Sequence, residues 1–180
     1  MSHSNAEVSH LLKKHALLFS YLDEGSAVLD LACGSGRNGL FLIETGMNIT
    51  FVDNNKSALA EVSAKIGRKN IERHQVLQID LEDGKRSFFD RHRFDAILVF
   101  NYLHRPLFPS IKSALYEGGL IFYETFTTEQ KQFGRPKNQN YLLRSNELLG
   151  NFEGWEIIDY FQGIKLNPRR AIASLVARKP

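Results

Sequence analysis

Between Ala27 and Glu124, short apolar runs alternate with segments whose apolar residues recur at helical spacing. The runs Ala27–Leu31, Asn48–Val52, Gln75–Ile79, Phe94–Phe100 and Leu120–Glu124 predict strands, and Asn38–Thr45, Lys56–Ile66 and Leu107–Leu115 predict helices. A strand that follows a helix in this way pairs parallel to its predecessor through a right-handed crossover. The alternation therefore predicts an α/β, doubly wound fold: a parallel sheet covered by helices on both faces. Past Glu124 the pattern changes to a helix around Ser145–Phe152 and strands at Trp155–Gln162 and Ala171–Ala177, joined by a connection containing Asn167 and Pro168. These last two strands are expected to close a seven-stranded, mostly parallel sheet as an antiparallel C-terminal hairpin.

No repeat, low-complexity tract or linker interrupts the row, so residues 1–180 read as one domain. Val8, Leu11, Leu12, Leu18, Phe19 and Leu22 fall at helical spacing and predict an N-terminal helix within residues 1–24, packed on or capping the domain. With 180 residues, 43% of them hydrophobic, the chain is long enough to bury a core without a disulfide or structural metal. Cys33 is the only cysteine, which fits a reducing compartment. Met1–His15 lacks a basic end followed by an apolar run, and no stretch approaches the ~18 apolar residues that span a bilayer, so a cytoplasmic protein free of membrane is expected. The histidines, His10 with His15 and His74 with His92 among them, lack metal-ligand spacing, and no metal is expected.

Ligands of open α/β sheets bind beyond the carboxyl ends of the strands. The first strand ends there in Asp30-Leu31-Ala32-Cys33-Gly34-Ser35-Gly36-Arg37-Asn38-Gly39, and Gly34, Gly36 and Gly39 have the spacing of a dinucleotide fingerprint. Glycines permit a sharp turn and close backbone approach, which many cofactors need. Charge separates them: a pyrophosphate seeks bare amides at a helix N-terminus, whereas a sulfonium carrying an ammonium group seeks carboxylates and carbonyls. Asp30 is badly placed beside a pyrophosphate. Asp53, nineteen residues past Gly34, is where an acid accepts both hydroxyls of a ribose in either cofactor, and Asp80 ends the third strand, in reach of an adenine amino group.

Asp30 to Gly36, Asp53 and Asp80 resemble the first three motifs of the class I S-adenosylmethionine-dependent methyltransferases. Phe94-Asp95-Ala96-Ile97-Leu98 resembles the fourth, and Glu117-Gly118-Gly119-Leu120 the glycine pair before the fifth strand. The first turn is most similar to small bacterial methyltransferases of the tellurite-resistance type. The resemblance implies a Rossmann-like fold with S-adenosyl-L-methionine as cofactor: Asp30 and Gly34 at its methionine end, Asp53 at the ribose, and Asp80 with Leu81 at the adenine. Ala32, Ser35, Gly36, Arg37, Asn54, Phe100 and Asn101 complete the candidate cofactor set. Many members have glycine where this chain has Ala32, which leaves less room for backbone approach. Cys33 has no evident base beside it and reads as a small buried residue.

Methyl transfer from a sulfonium is an in-line displacement, so the protein orients the acceptor and, where necessary, removes its proton. The fourth strand runs into Asn101-Tyr102-Leu103-His104-Arg105-Pro106, which offers Tyr102 and His104 as catalytic candidates, His104 as a general base. The segment departs from the Asp/Asn-Pro-Pro-Tyr pattern of many methyltransferases that act on nucleic-acid amino groups. Lys131 to Asn146 contains four cationic residues and no acid, and the hairpin turn adds Lys165, Arg169 and Arg170. Arg105, Arg135, Arg144 and Arg169 are thus the candidate substrate ligands, for an anionic small molecule first and for a nucleic acid second. An RNA or protein methyltransferase, a non-catalytic S-adenosylmethionine-binding partner and a nicotinamide-dependent oxidoreductase are the competing functions.

Overall fold

The computed structural model describes residues 7–67, 71–84 and 87–180, with the side chains of Ile71 and Ser87 left aside. Its centre is a seven-stranded sheet of order β3-β2-β1-β4-β5-β7-β6. The strands are β1 Ala27–Leu31, β2 Asn48–Asp53, β3 Gln75–Gln78, β4 Phe94–Phe100, β5 Leu115–Phe126, β6 Glu156–Leu166 and β7 Arg169–Arg178. β1 to β5 pair parallel, and β7 lies antiparallel between β5 and β6. The hairpin turn at Asn167 and Pro168 therefore falls at the carboxyl end of β1 to β5.

The helices are α1 His10–Lys14, α2 Arg37–Ile43, α3 Lys56–Ile66, α4 Ser87–Arg91, α5 Phe108–Ala114 and α6 Glu147–Asn151. Two apolar clusters flank the sheet. One gathers Leu29, Leu31, Ile97, Val99, Ile121 and Tyr123 with Phe108, Leu148 and Phe152. The other gathers Val28, Ile49, Phe51, Ala96, Leu98 and Phe122 with Leu42, Val62, Leu12 and Phe19. Alternate residues of each central strand thus enter opposite cores, which is why these strands read as continuous apolar runs.

Three expectations need correction. The N-terminal segment is not one helix: α1 stops at His15, and a 3-10 turn over Ala16–Tyr21 follows. Lys14 and His15 both reach Asp159 of β6, at 2.7 and 2.6 Å, and Phe19 stacks on Phe122 at 5.3 Å. Following the sheet surface breaks the helical path; residues 1–6 of the expected helix lie outside the described residues. Second, α4 was not anticipated, because five residues are too few for a helical period to declare itself. Third, β5 begins at Leu115, with a register irregularity between Phe94 and Ala96, so the strand carries the glycine pair. A Cβ on Gly119 would lie 2.9 Å from the Tyr116 carbonyl and 3.1 Å from that of Asp95.

Candidate active site

Strand order reverses between β1 and β4, so their carboxyl ends open a crevice. Two residues there have left-handed backbone, Ala32 (φ 53°) after β1 and Asn101 (φ 56°) after β4. Non-glycine residues rarely adopt this region, and it concentrates at functional sites. The φ of Ala32 explains why glycine suits that position in the methyltransferases the turn resembles.

Two cavities meet at Ala32. The larger, about 320 Å³, is lined by Asp30, Cys33, Gly34, Ser35, Arg37, Asn38, Phe100 and Asn101. The smaller, about 120 Å³, is lined by Asp53, Asn54, Ile79, Asp80, Leu81, Glu82 and Tyr102. The predicted cofactor residues are thereby brought together, except Gly36. That glycine lines neither cavity and caps α2 with φ 73°.

Each strand-end acid has a distinct setting. Asp30 is 2% exposed, and its Oδ2 accepts from the Gly39 amide at 2.9 Å. Burial pushes its carboxyl up to about 7, opposed by the Gly39 bond and by Arg37 and assisted by Asp53. A Cβ on Gly39 would run into the Phe51 ring, so the third glycine of the fingerprint serves helix-to-sheet packing. Asp53 accepts from the Gly34 amide at 2.7 Å on one oxygen and from the Asn55 amide at 2.8 Å on the other. Each oxygen keeps a lone pair for a further donor. Asp80 Oδ1 accepts from the Glu82 amide at 2.9 Å. Nothing lies within 4 Å of a Cβ placed on Gly34, so the turn has open space above it. Burial, then Asp30 and Asp53, push the Cys33 thiol far up, so it stays protonated and is no nucleophile.

Tyr102 borders the smaller cavity and, with Leu103, Phe126, Arg135, Pro136 and Tyr141, a further one of about 370 Å³ that reaches the larger through Asn101. Burial and then the neighbouring Glu82 push its phenol up, which keeps the hydroxyl protonated, and it donates to Glu82 Oε1 at 3.5 Å. His104 borders a separate cavity with Glu82 and Tyr141, its Nδ1 3.9 Å from Glu82 Oε2. It lines neither of the two cavities that meet at Ala32.

The four arginines do not converge. The Arg105 guanidinium is held by Glu147 at 2.6 and 2.9 Å and by the carbonyls of Asn140 (3.0 Å) and Leu142 (2.8 Å), so it braces the loop before α6 and has no fork to offer a substrate. Arg169 lies over the Phe133 ring, 5.0 Å from its centre, and Arg144 is exposed and away from these cavities. Arg135 alone borders the 370 Å³ cavity. In the hairpin turn, Lys165 and Arg170 sit at 3.1 and 3.2 Å from opposite oxygens of Glu124, which is 1% exposed at the end of β5. Sequence reasoning missed Glu82, Tyr141 and Glu147; only Glu82, two residues past a strand-end acid, carried a signal.

Among the described residues no group of three His, Cys, Asp or Glu is arranged to hold a metal, and no helix is long and apolar enough to cross a membrane. Three histidines have other occupations: His15 on Asp159, His74 accepting from the Ile49 amide, and His92 against the Phe88 carbonyl.

A family model described as tellurite resistance protein TehB matches residues 20–167. The chain belongs to the TehB family. A curated relative from Haemophilus influenzae (strain 10810), described as a probable S-adenosyl-L-methionine-dependent methyltransferase TehB, is 28% identical over 141 residues, 74% of this chain and 47% of the relative. This TehB-family chain thus spans about half the length of the curated relatives it matches. Among solved structures, TehB from Haemophilus influenzae superposes with a TM-score of 0.71 at 20% identity, covering 95% of this chain and 66% of that one. Coclaurine N-methyltransferase bound to N-methylheliamine and S-adenosylhomocysteine gives 0.66 at 17% identity over 86% of this chain and 51% of that one. The glycopeptide N-methyltransferase MtfA complexed with sinefungin gives 0.63 at 15%, covering 97% and 88%. These likenesses are of fold, and the fold is that of the class I methyltransferases.

Proposed function

We propose that residues 1–180 form one domain that acts, in the cytoplasm, as an S-adenosylmethionine-dependent methyltransferase on a small molecule. The observation that carries this reading is the meeting of two cavities at Ala32, with Asp30 on one side and Asp53 and Asp80 on the other. Space above Gly34 and the lone pairs left on Asp53 fit a ligand with a cationic end and a ribose. The Haemophilus influenzae relative, a probable S-adenosyl-L-methionine-dependent methyltransferase, and the fold shared with coclaurine N-methyltransferase support it.

The cofactor supplies an electrophilic methyl group on a sulfonium. In this reading Asp30 neutralises its ammonium group, Asp53 accepts from the ribose hydroxyls, and Asp80 with Leu81 holds the adenine. Asn101 and Tyr102 stand where these cavities meet the one beyond, and the Tyr102 ring, its hydroxyl turned to Glu82, flanks the acceptor there. His104 acts as base only for an acceptor that extends into the cavity beside Glu82. A broad nucleic-acid footprint is disfavoured, because Arg105, Lys165 and Arg170 are bound to the protein's own carboxylates.

Calorimetry with S-adenosylhomocysteine and with NAD tests the assignment: the first binds and the second does not. Asp53→Ala is expected to weaken S-adenosylhomocysteine tenfold or more, since losing hydrogen bonds to a charged acceptor costs about 1.5–3 kcal/mol. NAD binding without a response to S-adenosylhomocysteine overturns the reading.

A further inference from the structure

We infer that the acceptor is a small aromatic carboxylate rather than an inorganic oxyanion, an inference that rests on the methyltransferase reading above and specifies its substrate. A nucleophilic atom of the acid other than its carboxylate takes the methyl group as the sulfonium carbon–sulfur bond breaks, the bonding pair stays on sulfur, and any proton on that atom passes to solvent. The cavity of about 370 Å³ adjoins both cofactor cavities, sharing Asn101 with the larger and Tyr102 with the smaller. A molecule seated in it faces the place from which a methyl group has to come.

Its walls are mainly apolar. Tyr102, Phe126 and Tyr141 contribute three aromatic rings, and Leu103 and Pro136 add aliphatic surface. Rings pack on rings in offset or edge-on contact, so a planar apolar body is the complement of such a wall. A volume of about 370 Å³ is of the size that small organic ligands occupy. At ≈ 30 Å³ per water it corresponds to about a dozen solvent molecules, far more than a four-atom oxyanion displaces.

One cation completes the site. Arg135 is exposed at the cavity's border; its carbonyl accepts from Gln130 Nε2 at 3.1 Å, while its guanidinium makes no hydrogen bond or ion pair among the described residues. Of the cations around it, Arg105 is engaged by Glu147, Lys165 and Arg170 by Glu124, and Arg169 by the Phe133 ring, while Lys131, Lys137 and Arg144 are exposed and do not border the cavity. A single planar fork matches a single carboxylate. A compact inorganic anion loses its hydration against three aromatic rings and regains only that one partner, a poor exchange for a concentrated charge. An organic acid separates the two demands, placing its ring among the aromatic residues and its carboxylate at Arg135.

The test uses the whole chain saturated with S-adenosylhomocysteine and a panel of benzoate, phenylacetate and 3-phenylpropionate, with acetate, benzyl alcohol and tellurite for comparison, by calorimetry. At least one aromatic acid is expected to saturate, with acetate, benzyl alcohol and tellurite at least tenfold weaker. Arg135→Met should weaken the aromatic acid at least tenfold while the S-adenosylhomocysteine affinity and melting temperature stay at the wild-type values; Arg135→Lys should recover only part. If S-adenosylhomocysteine binds and no aromatic acid saturates, if tellurite binds at least as tightly, or if Arg135→Met leaves the acid's affinity unchanged, the inference is overturned alone. If S-adenosylhomocysteine itself fails to bind, the methyltransferase reading falls and the inference with it.

Discussion

Asp30 makes cofactor binding depend on pH in a calculable way. Its carboxyl is buried at the end of β1, and burial, only partly opposed by the Gly39 amide and Arg37, holds it at about 7 in the ligand-free protein. A cationic ligand requires the carboxylate. From that value about one Asp30 in ten is ionised at pH 6, half at pH 7 and about nine in ten at pH 8, so affinity carried by Asp30 rises roughly tenfold, or ~1.4 kcal/mol, between pH 6 and 8. The ligand's amino group titrates too, so the measurement is the ratio of S-adenosylhomocysteine dissociation constants for Asp30→Asn and wild type from pH 5.5 to 8.5. The amide keeps an acceptor for Gly39 and has no charge, so the ratio should be large at pH 8 and shrink towards pH 6. Ligand-free stability supplies a second reading. The folded pKa lies above the ordinary aspartate value of 3.8, so the folded state holds the extra proton between pH 3.8 and about 7, and stability falls as pH rises through that window. Asp30→Asn escapes the penalty, which is at most about 4 kcal/mol, so its ligand-free stability should exceed wild type above pH 7 and converge with it near pH 4. Affinity curves for variant and wild type that stay parallel across the range refute this account of Asp30.

Two further outcomes follow from the ion pairs. Arg105→Met should lower stability by about 2 kcal/mol in urea unfolding, from the loss of charge-assisted bonds to Glu147 and the carbonyls of Asn140 and Leu142, and should leave S-adenosylhomocysteine affinity unchanged; a changed affinity with unchanged stability returns Arg105 to the binding site. Glu124→Gln leaves Lys165 and Arg170 without their shared carboxylate at a buried position and should cost about 3 kcal/mol by the same measurement, whereas a loss below about 1 kcal/mol means that the two cations find water instead.

What is local in origin was legible in the sequence. β1, β4 and α3 occur at the predicted residues because a buried parallel strand must be apolar on both faces and a packed helix must repeat its apolar face. The turn after β1 was legible because glycine spacing and a strand-end acid report backbone and charge requirements of the same few residues. With the strand order known, the ends of β1, β2 and β3 lie side by side, and Asp30, Asp53 and Asp80 border joined cavities as a result.

Partners distant in the chain were decided by the tertiary structure alone. Arg105 and Glu147 are 42 residues apart, and Glu124 meets residues 41 and 46 further on. A row of cations shows charge but not what neutralises it, so four arginines that looked alike divide into a loop brace, a ring-stacked side chain, an exposed one and Arg135 at the cavity. Aromatic residues hide their purpose in the same way: Phe126 ends β5, Tyr141 lies in the segment before α6, and they share a cavity only because the two converge there. Sequence carries the periodicities that local backbone geometry demands, while burial, neutralisation and enclosure depend on which distant segments the sheet brings together.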